Sequence, residues 1–196
     1  MKIIVNSEVR QNTLDEIQCE LGPLFGQIDF LSVEFKSHVA ESAIELVTPA
    51  IEWLAVCNDA ANVFLSKLVA EAATDLYGNK SKIALILWDT AVEPIQILTS
   101  FIVKAVKNKT KISIGLPIPD EQFGTTLTIV NESEEFVAWV LSSYILQLDV
   151  IERVVNEIIR SNTPPAGLIQ LSIRPDGGFV LKWMDRNQQE IHEVRI

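Results

Sequence analysis

The stretch from Asn131 to Asn162 constrains this chain most. It reads as one long helix, and its first half, Phe136 to Leu148, carries no charge. Phe136, Val137, Trp139, Val140, Leu141, Tyr144, Ile145, Leu146 and Leu148 occupy nearly every side of the cylinder. A helix apolar all round must be covered all round, by its own domain, a second subunit or lipid. The second half differs. Leu148, Ile151, Val155 and Ile158 recur at spacings of three and four, while Glu152, Arg153, Asn156, Glu157 and Arg160 fall on the other side. The helix therefore enters a core and leaves along a surface.

Lipid is the weakest of the three covers. No run reaches the roughly 18 uncharged residues that a membrane span needs, so no transmembrane segment is expected. The start, MKIIVNSEVR, turns polar too soon for a signal peptide. A soluble, cytoplasmic protein is the expectation. With 196 residues, 48% of them hydrophobic, the chain can build its own core without disulfide or metal staples. Cys19 and Cys57 lack CxxC spacing and sit in apolar helical contexts, so both are expected as buried free thiols in a reducing compartment, with a single disulfide between them as the alternative.

Net charge is −10, which disfavours a nucleic-acid partner. Residues 1–100 hold 6 basic and 14 acidic side chains, against 10 and 12 in residues 101–196. The N-terminal half could thus attract a basic protein partner, or simply keep an apolar protein dissolved.

In chain order, Lys2 to Val5 reads as a strand. Thr13 to Glu16 forms a capping box that opens a short helix, closed by Gly22-Pro23. Ile28 to Phe35 reads as a strand with Leu31, Val33 and Phe35 turned inward. Ala40 to Tyr77 follows a helical period, broken near Val47–Thr48 by Pro49, with a second cap at Asn58-Asp59. Ile83 to Trp88 fits a buried strand and also a helix. Pro94 to Lys107 is helical, with Lys104 and Lys107 at the negative end of its dipole. Lys111 to Ile118 and Thr125 to Val130 form a hairpin. Asn131, with Glu134, caps the long helix, and Pro164-Pro165 forbids its continuation. The remainder alternates as a three-stranded meander turning at Asp176-Gly177-Gly178 and Arg186-Asn187. No internal repeat is visible. The order predicts an α+β protein, helices packed on a mostly antiparallel mixed sheet, as a single domain; a helix-rich part (1–110) and a hairpin, helix and meander part (111–196) form a possible subdivision. A partly parallel α/β sheet is the alternative, but the Gly-rich turns it needs are missing.

Few residues could carry chemistry. His38, Glu41 and Glu45 share a face if helical and could begin a metal site, but a solvated first turn explains them equally. His192 lies beside Glu190 and Glu193 in an edge strand. Asp89 and Glu93 follow Trp88 and could line an acidic pocket; capping the next helix also suits them. Lys104, Lys107, Lys109 and Lys111 form a basic cluster without interleaved aromatics. GxGxxG, GxxxxGK[ST] and GxSxG are absent, and no cofactor is expected. Trp53, Trp88, Trp139 and Trp183 read as core anchors.

Two functions compete. The first is a non-enzymatic interaction or regulatory protein that self-associates, as a dimer first, through apolar helical surface including Trp139, Tyr144 and Leu148. The second is a small-molecule enzyme or ligand sensor with an acidic pocket built on Asp89, Glu93, His38 and Glu41.

Overall fold

A computed structural model describes residues 1–6, 11–33, 43–72, 86–117 and 124–196. Strands β1 (Lys2–Asn6), β2 (Asp29–Val33), β3 (Ala43–Val47), β4 (Lys111–Gly115), β5 (Thr125–Ile129), β6 (Ile169–Ile173), β7 (Phe179–Met184) and β8 (Ile191–Arg195) form one sheet. Its order is β2-β1-β3-β4-β5-β6-β7-β8. Helices α1 (Gln11–Phe25), α2 (Ala50–Ala72), α3 (Glu93–Lys107), α4 (Glu134–Leu146) and α5 (Leu148–Arg160) complete the described elements, with a 3₁₀ turn at Thr90–Val92. The fold is α+β, with a mixed sheet and the expected C-terminal meander.

Three parallel pairs, β1/β2, β3/β4 and β5/β6, are each bridged by helix. Antiparallel pairs β1/β3 and β4/β5 join these units side by side. The chain thus repeats one motif three times in its topology, although no repeat shows in its sequence. β1 and β5 point the same way, yet their crossovers step to opposite sides of the sheet with the helices packed together on one face. The two crossovers therefore have opposite hands, and one departs from the right-handed rule.

The ladder registers place Ile3, Val5, Ile44, Leu46, Ile112, Ile114, Leu127, Ile129, Ile169, Leu171, Phe179 and Leu181 on the helix-covered face, all buried. Over them lies α4. Its Val137, Val140, Leu141, Tyr144 and Ile145 are buried, and even Ser142 and Ser143 are shut from water. An edge-to-face aromatic chain ties the layers: Phe25 to Trp53 at 5.4 Å, Trp53 to Tyr144 at 6.4 Å, Tyr144 to Phe179 at 6.2 Å.

Several elements depart from the sequence reading. The long helix is two helices, and Ser133, not Asn131, caps the first by accepting from the Phe136 amide. The break falls at Gln147, whose side-chain amide donates to the Gly177 carbonyl at 2.7 Å. Helix α1 starts before Thr13 and runs through Gly22-Pro23 to Phe25. Gly26, at φ 69°, ends it, and Gln18 clamps the exit by donating to the Gly26 carbonyl and accepting from the Ile28 amide. Ala43–Val47 is strand β3, not helix; alternate burial of Ile44 and Leu46 between β1 and β4 outweighs the helix formers around them. Pro49 then starts α2, accepting from the Trp53 amide, and α2 continues unbroken past Asn58-Asp59. In β2 the phase is reversed: Leu31 is exposed, while Phe30 packs on the core. Ile86–Leu87 is a buried helical turn rather than a strand, and residues 83–85 lie outside the described residues. Trp88 is 68% exposed and anchors no core. Cys57 is buried as expected; Cys19 is exposed.

Burial alone pushes the Cys57 thiol up to about 12. One equivalent of thiol, Cys19, should therefore react with a thiol reagent in the native protein, and the second only on unfolding; two fast equivalents would contradict the packing. Burial also raises the Tyr144 hydroxyl above its usual range, which the neighbouring Thr125 only partly offsets. Tyr144→Ala should cost about 3–5 kcal/mol in denaturant unfolding, and Tyr144→Phe no more than about 1 kcal/mol.

Candidate interaction surface

The C-terminal meander carries the least-covered apolar surface of the sheet. Outward-phase residues should be polar, and Gln170, Lys182, Glu193 and Arg195 obey. Val180 departs from this singly, and at one end of the three strands the departures are grouped. Leu168, Met184 and Ile191 are 49%, 50% and 75% exposed and line an open hollow of about 420 Å³ with Gln170 and Lys182. Apolar side chains grouped this way mark contact surfaces more often than scattered ones do.

Beneath the hollow lies a polar knot. The Trp183 indole N–H donates to the Thr163 carbonyl at 2.9 Å, and the His192 ring stacks on Trp183 with centroids 5.6 Å apart. Asp185 is fully buried. Its Oδ1 accepts from the Asn187 amide at 2.5 Å and the Gln188 amide at 3.3 Å, which builds the β7–β8 turn. Its Oδ2 faces His192 Nε2 at 3.7 Å. Gln189, at φ 57°, completes the reversal. This pairing gives an acid beside an imidazole, but both groups serve the hairpin: one holds the turn, the other covers the indole.

The residues singled out from the sequence are dispersed. His38 and Glu41 lie outside the described residues. Asp89 caps the 3₁₀ turn, accepting from the Ala91 amide at 2.8 Å, and pairs with Lys67. The Lys67 hydrogen bond, then the Ala91 one, holds its carboxyl below the usual range. Glu93 sits in the first turn of α3. Tyr144 and Leu148 are fully buried within the chain. Trp139 is half-buried and meets Phe136 at 5.8 Å. Of the lysine cluster, Lys104 is engaged, joining α3 to α1 through Glu20 and, at 3.7 Å, Glu16.

The spacing of Glu45 from His38 and Glu41 suggests a shared helix face, but Glu45 is not helical. It stands instead in β3, facing away from the helices between Ile4 and Ser113. Burial raises its carboxyl above the usual range. Ser113 and Thr128 share a hydrogen bond at 3.1 Å on the same face. Among the described residues no group of three His, Cys, Asp or Glu side chains is placed to hold a metal ion.

The sequence reading missed Leu168, Met184 and Ile191. Their signal was phase alone: each is an apolar residue at an outward position near the end of a strand whose inward positions are already apolar. Comparison with known proteins matched no family model, no curated relative and no solved structure.

A carboxyl raised in the folded state favours folding only while it is protonated, so its contribution is present below the unfolded pKa and lost as pH rises through the folded one. Glu45→Gln should therefore raise the melting temperature at neutral pH, and the gain should close as pH falls below the ordinary glutamate range. A gain independent of pH would show that the charge is not the cause.

Proposed function

We propose that the protein is a non-enzymatic interaction or regulatory protein that self-associates, as a dimer first, in a reducing cytoplasmic compartment. The observation that carries this reading is the apolar group Leu168, Met184 and Ile191 at the sheet end where, among the described residues, β8 has a neighbour strand on one side only. The helical surface expected from the sequence still contributes Trp139 and Phe136 at the start of α4, but not Tyr144 or Leu148, which are spent on the core. Two unpaired cysteines support the reducing compartment. Among the described residues no helix is long and apolar enough to cross a membrane. The acidic excess of residues 1–100 would suit a basic protein partner and repel nucleic acid.

Sedimentation equilibrium tests this directly. The mass should rise from 21.9 kDa toward its double across the micromolar range. Met184→Ser with Ile191→Ser should weaken the dimer without lowering the melting temperature, because both side chains flank the sheet edge and neither is in the core. A wild-type chain at the monomer mass at every concentration overturns self-association.

A further inference from the structure

We infer that the free edge of β8 is a self-complementary docking strand whose occupant is β8 of a second copy, antiparallel about a two-fold axis that passes between the paired Val194 residues. The inference rests on the self-association reading and says how the copies meet.

The backbone fixes which groups are free. Phe179 and Ile196 exchange both backbone hydrogen bonds at 2.9 Å, so Ile196 turns its peptide groups toward β7. Antiparallel ladders alternate with period two, so Val194 and His192, opposite Leu181 and Trp183, do the same. Ile191, Glu193 and Arg195 then turn their N–H and C=O groups to the open edge. A two-fold antiparallel partner must bond through these odd-numbered residues on both copies, which leaves a short choice of registers.

Charge separates the three registers centred within Glu193–Arg195. With the axis at Glu193, the two Glu193 side chains oppose each other; with the axis at Arg195, the two arginines do. With the axis at Val194, Glu193 of each copy lies directly opposite Arg195 of the other. Two symmetric Glu–Arg pairs then replace a like-charge clash. Lys182 already lies 3.4 Å from Glu193 on the same outward face, so the alternation of sign would run unbroken across the junction. Charged side chains on an edge usually prevent pairing. Here the opposite signs, two residues apart and 3.6 Å from each other within one chain, make the edge complementary to itself.

Burial agrees. The inward residues of β7, Phe179, Leu181 and Trp183, are buried, whereas those of β8, His192, Val194 and Ile196, remain half-buried. A ninth strand would lay Val194 against Val194 and Ile196 against His192 of the second copy, finishing the inner face that one chain leaves incomplete. A ladder of one short strand buries little area, so the dimer is weak and sensitive to salt.

The test uses single charge reversals in the full chain. Arg195→Glu places four acids at the junction, and Glu193→Arg places four bases. Each variant alone should raise the dimer dissociation constant at least about tenfold. An equimolar mixture of the two should recover dimer, because both acids of one chain then face both bases of the other. Both sites are on the outward face, and melting temperatures near wild type would confirm folding. Should one variant fail to fold, Glu193→Arg with Arg195→Glu in one chain preserves both pairs across the junction, though it sets an arginine opposite Lys182 within the chain, and should still dimerise. Dimerisation of folded Arg195→Glu at wild-type strength, or a mixture that stays monomeric, overturns the β8 junction while leaving self-association standing. A wild-type chain that never dimerises overturns both.

Discussion

Everything in this fold answers to the need to cover α4. A helix with apolar side chains on all sides has no face to give to water. The sheet takes its underside, α2 and α3 flank it, and the Trp53–Tyr144–Phe179 chain fixes the spacing of helix, helix and strand. The turn at Gln147 follows from the same need. Beyond Leu148 the sequence becomes amphipathic, and a straight continuation would carry polar residues into the core. The side-chain bond from Gln147 to the Gly177 carbonyl anchors the change of direction to the meander. The hydroxyls of Thr99 and Ser142, buried in this core without a hydrogen-bond partner among the described residues, show that it is filled for shape as much as for polarity.

Covering one helix on every side needs a wide sheet, and a wide sheet has two ends. β2 and β8 are those ends. The helix layer is centred over the middle strands, so its cover thins outward. That is why the inward row loses burial at β8. The outward row carries no helix, so the polar neighbours of Met184 and Ile191 decide whether that apolar surface leads to aggregation or to a defined contact.

Local signals recovered much of this. Pro94 at the start of α3 and lysines at its end, the hairpin β4–β5 and the alternation of β6 and β7 are all legible, because each is decided within a few residues. The errors share one cause. Ala43–Val47 looks helical in its neighbourhood and becomes a strand because β1 and β4 both pair with it. The phase of β2 depends on which face of β1 is buried, and the split of the long helix depends on a carbonyl thirty residues away. The alternation of Ile28 to Phe35 was visible; which half faced inward was not. Of the surface residues, Trp139 was legible as an apolar side chain, whereas Met184 gained meaning only once strand pairing set it beside Ile191 and Leu168.

β8 combines two properties that usually exclude each other. Among the described residues no strand pairs with its outer side, so that row of backbone groups is open. Yet its register is tightly set. The buried Asp185 holds the turn through two amides, His192 stacks on the Trp183 ring, and Gly178 admits the Ile196 carbonyl to within 2.6 Å of where a Cβ would stand. Both ends of the strand are pinned while its outer side stays open. A mobile edge would sample several registers and discriminate poorly among partners, since charge pairing depends on which residues oppose. A pinned edge presents Glu193 and Arg195 at one spacing, and that fixed spacing is what allows two opposite charges to specify a single way of pairing.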